Sequence, residues 1–193
     1  MMAVTEGQVH TLFLALALAA GMENPLTQSV ANRYGEAKRN LVESAELMPA
    51  ENYGFRLTPQ QRTFGEWIGH TAISVHGFCA AMRGVAPPDT KRLHTLTGKS
   101  ELTAALKASF TACDTALEGM TDAKALAPLP KGDYPVMHMV ALIASLNQHY
   151  GNLVAYLRMK GLTPPSTARH TMRIPEQSGK APKPEPPRPI EPR

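Results

Sequence analysis

SLNQHYGNLVAYLRMKGLTPP, residues 145–165, decides the fold. Leu146, His149, Leu153 and Tyr156 recur at spacings of three and four, which puts them on one face of an α-helix. Carried back toward Tyr134, the same face takes in Met139 and Ile143. Gly161 stands where a helix end favours a left-handed residue, and Pro164 lies beyond it. The pattern predicts a helix from about Tyr134 to Lys160. One residue on the apolar face is not apolar. His149 is a metal ligand, the remnant of one, or a core imidazole with a hydrogen-bond partner.

Three further segments carry the same periodicity. From Leu26 to Met48 the stripe is Leu26, Val30, Tyr34, Ala37, Leu41, Ala45 and Met48, and MPAENYGF ends it. A second helix is expected to begin near Thr58 as N-cap, with Pro59 at the first position. Its face is Phe64, Trp67, Ile68, Thr71, Val75, Phe78, Cys79 and Met82, and RGVAPPDT stops it. A third starts at Ser100 and runs through Leu102, Leu106, Phe110, Cys113 and Leu117. No stretch alternates as a strand would. Four long amphipathic helices predict an all-α four-helix bundle.

The 193-residue chain is long enough for one domain with a real core. Aromatics make up 6% of it, with Ala, Leu and Met in their place, which suits helices. The net charge of +4 raises the question of a nucleic-acid partner. Six of the 20 basic residues but only three of the 16 acidic ones lie from Ser166 onward. The remainder is therefore +1, with no basic stripe, and nucleic-acid binding is not expected. GKS at residues 98–100 lacks the Gly-rich lead and the preceding strand of a phosphate loop.

Both ends depart from the bundle pattern. Residues 1–20 read as a signal peptide: Leu12 to Ala20 is an apolar run of the right length, too short to span a membrane, and it ends in small residues. Glu6 and the lack of Lys or Arg before the run speak against it, so export to the periplasm or exterior is the expectation and a cytoplasmic location the alternative. No other segment is apolar enough to span a membrane. Residues 167–193, with EQSGKAPKPEPPRPIEPR, hold too little apolar surface to order themselves. They are expected to form a disordered, Pro-rich tail, either merely solvated or in contact with the cell envelope or a partner.

Several stretches together resemble the DinB/YfiT-like superfamily, closest to its small exported members. They are RTFGEWIGHTA, QHYGNLVAYLRMKGLTPPS, NPLTQSVANRYGEAKRNLVESAELMP and KSELTAALKASFTACDTAL. The resemblance covers residues 24–166. It implies a four-helix bundle, often dimeric, in which three histidines at one end hold a divalent metal such as zinc or nickel. One comes from the second helix and two from the fourth, spaced i and i+4. The activities it implies are transfer of a small thiol to an electrophile, or hydrolysis. His70 matches the second-helix ligand and His149 the later fourth-helix ligand. The earlier one falls on Ser145, where this chain departs from the pattern. Tyr150 and Asn152 are expected to flank or support the pocket.

A serine hydroxyl is a poor ligand, and two histidines fall short of the three protein ligands of a catalytic zinc. Glu66, four residues before His70, is the best substitute. Two imidazoles and a carboxylate would suit zinc or ferrous iron. The other histidines are expected to be structural or incidental. His138 sits about 16 Å along the axis from His149, His76 points elsewhere, His94 lies in a loop, and His10 and His170 lie near the ends. Cys79 and Cys113 fall on core faces without metal spacing. They either pair, adding about 3 to 4 kcal/mol in the chain-entropy model, or remain buried thiols.

Two functional readings follow. In the first, the chain is a metal-dependent transferase or hydrolase of a small molecule, using His70 and His149. In the second, the same bundle binds a small molecule or a protein through a site that has lost its metal.

Overall fold

The structure, a computed structural model, describes residues 24–173. Among the described residues there are six α-helices: α1 (Pro25–Leu47), α2 (Phe64–Met82), α3 (Lys99–Leu117), α4 (Asp122–Ala125), α5 (Pro135–Met159) and α6 (Pro165–Arg173). Among the described residues there is no strand. The four long helices form an all-α bundle, ordered α1, α3, α2, α5 around its axis. None of them is long and apolar enough to cross a membrane.

Contacts fix the helix directions. Phe64 packs on Tyr156 and Thr71 meets His149, so α2 and α5 run antiparallel. Gly65 lies against Leu102, and Cys79 is disulfide-bonded to Cys113 with Cα atoms 5.4 Å apart, so α2 and α3 run parallel. Two long connections follow. Residues 48–63 cross diagonally from α1 to α2, and residues 83–98 return along the bundle from the end of α2 to the start of α3. Both finish at the end where α2 begins.

The core is built from the stripes read in the sequence. Leu41, Ala45, Phe64, Ile68, Val75, Leu102, Leu106, Phe110, Leu146, Leu153 and Tyr156 are all sealed from solvent. The crossing connection is pinned into it. Tyr53 donates to the Ala45 carbonyl (2.6 Å) and bonds Thr103 Oγ1 (3.1 Å). The Gly65 amide donates to the Tyr53 carbonyl at 2.8 Å. A Cβ at Gly65 would stand 3.1 Å from Leu102 Cδ1, tighter than nine in ten real Cβ contacts. Gly161 takes the left-handed conformation (φ 71°) expected at the end of α5, and Leu162 N–H closes the turn on the Leu157 carbonyl at 2.9 Å.

Two boundaries differ from the sequence expectation. α2 does not start at Thr58. Thr63 is its N-cap, accepting from Glu66 N–H, while the Glu66 carboxylate accepts from Thr63 N–H. This reciprocal cap satisfies two donors at once, which Pro59 cannot match. Helical order also extends past Ser166. Pro165 opens α6, Arg169 bonds Glu43 and Asn40 of α1, and Tyr150 Oη donates to Ser166 Oγ at 2.7 Å. The expected tail therefore begins in a helix; residues 174–193 and the expected signal peptide lie outside the described residues.

Candidate functional site

The site is assembled where α2 faces the second half of α5. His149 is 4% exposed, and each ring nitrogen faces a hydroxyl. Nδ1 lies 3.2 Å from Thr71 Oγ1, and Nε2 lies 3.4 Å from Ser145 Oγ. Thr71 donates its own proton to the Trp67 carbonyl at 2.7 Å, so at His149 it accepts. The imidazole therefore carries its proton on Nδ1, and its Nε2 lone pair accepts the weaker bond from Ser145. Burial, then His70 and Arg62, push the His149 pKa down to about 4, so the ring is neutral at physiological pH.

His70 stands in front of it, with ring centroids 4.9 Å apart. It is half-buried, and its pKa is lowered by desolvation, then by Arg62 and His94. Trp67, the single tryptophan, packs 5.5 Å from His149 and 5.9 Å from His70. The Arg62 guanidinium carbon sits 5.1 Å over its indole. Trp67 Nε1 is buried and, among the described residues, has no hydrogen-bond partner.

A cavity of about 420 Å³ opens before His70. Its lining includes Arg56, Gln60, Gln61 and Arg62 from the crossing connection, and Leu93 and His94 from the returning one. Gly65, Glu66, Gly69 and Ile73 form the α2 wall. His149 is not on this lining; it lies behind His70.

The three matching positions thus converge, but their donors do not fit a three-ligand metal centre. Ser145 supplies a neutral hydroxyl that hydrogen-bonds the very nitrogen a metal would need. Glu66 does not join the pair: its carboxylate accepts from Thr63 N–H at 2.6 Å and approaches Arg56 at 3.8 Å. The backbone bond from Thr63 is the main reason its pKa is lowered. Among the described residues no three His, Cys, Asp or Glu side chains are gathered to hold a metal. The orphaned atom here, Trp67 Nε1–H, is a donor and calls for an acceptor, not a cation.

The remaining residues are placed as follows. Tyr150 faces away from the cavity, donating to Ser166 Oγ and accepting from Ser166 N–H at 2.9 Å. Asn152 bonds the Gln148 carbonyl on its own helix. Neither is on the cavity lining: Tyr150 anchors α6, and Asn152, half-buried, bonds along its own helix. His138 pairs with Asp133 at 2.8 Å near the start of α5. His76 has its pKa lowered by burial alone. His94, read as incidental, lies on the cavity. Sequence reasoning missed Thr71 as the partner of His149, although Thr71 belongs to the α2 stripe. It also missed Arg56 and Arg62, for which periodicity offers no signal.

A DinB superfamily model matches residues 33–152. The structure is similar to the crystal structure of a DinB-like protein from Bacillus cereus ATCC 10987. The TM-score is 0.60 at 18% identity, covering 72% of this chain and 95% of that one. No match is found among curated proteins. The family match spans well over half of the chain and the bundle is that of a DinB-like protein, so the chain belongs to the DinB superfamily.

Proposed function

We propose that this DinB-superfamily bundle binds a small molecule at a histidine site that no longer holds a metal. One observation carries the reading: Ser145 Oγ lies 3.4 Å from His149 Nε2, at the address of a missing third imidazole. With Thr71 on the other nitrogen, His149 is satisfied as a neutral core residue. What remains accessible is His70 and the polar cavity in front of it. The disulfide between Cys79 and Cys113 supports an exported protein, since such bonds persist in oxidising compartments.

Metal content tests the reading. The full chain, purified without a histidine tag and incubated in turn with zinc, nickel and ferrous iron, is analysed beside His149→Ala. The expected result is no stoichiometric metal in either. About one metal per chain, lost in the variant, would instead support the metal-dependent transferase or hydrolase.

A further inference from the structure

The cavity before His70 has a charge character of its own. Arg56 and Arg62 both line it, with the imidazoles of His70 and His94, against a single carboxylate, Glu66. That carboxylate is held in the α2 cap and is the ion-pair partner of Arg56. Arg62 has no carboxylate within ion-pair distance among the described residues; its guanidinium lies over Trp67 instead. Stacking fixes the plane of a guanidinium but leaves its N–H donors free. An arginine held by an aromatic face, open to a cavity and unpaired, is arranged to meet an anion.

Size narrows the class. A cavity of about 420 Å³ falls within the range of small-molecule sites and is far larger than a bare inorganic ion requires. Resting on the small-molecule reading above, we infer that the cavity receives a small organic anion, a compact carboxylate or phosphate ester. Arg62 is its principal charge partner and Arg56 the second.

Trp67 is the only tryptophan, so its fluorescence reports on this site alone. The full chain is titrated with succinate and, separately, with glycerol 3-phosphate, followed by Trp67 emission and by calorimetry. Saturable binding of either, at one per chain, is expected. Arg62→Glu should weaken it at least about tenfold, as loss and reversal of a charge-assisted contact implies, and Arg56→Gln should weaken it less. The arm that saturates identifies the headgroup. Both side chains are exposed, and far-UV circular dichroism checks each fold; should Arg62→Glu not fold, Arg56→Gln carries the test. The inference is overturned if neither anion saturates the folded chain, or if the folded charge variants bind as the native chain does. Metal assayed on the same sample keeps the two ideas apart. A metal-loaded chain sinks the previous reading without touching this test, because arginine is no metal ligand.

Discussion

Thr71 and His149 share a 3.2 Å hydrogen bond across the α2–α5 seam, and it fixes the tautomer of the buried imidazole. Thr71 can only accept there, because its proton is given to the Trp67 carbonyl. Thr71→Val keeps the shape and removes the acceptor, stranding an N–H in the core. The expected cost is about 1 to 3 kcal/mol, read as a lower urea midpoint with unchanged slope. A midpoint equal to that of the native chain would show that His149 does not depend on Thr71.

Acid should loosen the bundle through the same residue. His149 titrates near 4 when folded and near its ordinary value when unfolded. The unfolded chain therefore binds the proton more strongly, and stability falls as the pH drops from about 6.5 toward 4. The contribution is on the order of 3 kcal/mol. His149→Gln should flatten that stretch of the stability–pH curve; an identical curve would assign the acid sensitivity elsewhere.

Restoring the third imidazole should restore a metal site. Ser145 already points at His149 Nε2 from one turn away. Ser145→His is expected to bind zinc at one per chain and to raise the melting temperature with zinc concentration, as any ligand of the folded state does. No zinc uptake by the folded variant would mean that the surrounding bundle has closed on the site.

The disulfide ties parallel helices whose seam is already well packed. Its removal in the Cys79→Ala/Cys113→Ala double variant should cost about 4 kcal/mol in the chain-entropy model, measured by denaturant unfolding. Native protein denatured without reductant should show no reactive thiol.

The bundle was legible in the sequence because helical periodicity is a local signal, repeated over several turns in each of four segments. The start of α2 was misread because Pro59 is a start signal taken alone, whereas the cap at Thr63 needs Glu66 to be seen with it. α6 was missed because its order comes from outside itself, in Arg169 reaching Glu43 and Asn40. His70, Ser145 and His149 could be placed from a family pattern on two helices. Glu66 lies on the helix as read, and the i, i+4 spacing to His70 gives no sign that its carboxylate caps α2. Arg62 and His94 reach the cavity from the two connections, His94 on a short 3-10 turn (Lys91–Thr95), where neighbours in space are far apart in the chain.

The two long connections have a consequence for how such a protein changes over time. The bundle's stability is written in α1, α2, α3 and α5, whereas the cavity's charges ride largely on residues 48–63 and 83–98. Arg56, Arg62 and His94 can each be exchanged without disturbing a helix seam. The charges around the cavity are thereby uncoupled from folding, and they can drift while the core stays as it is.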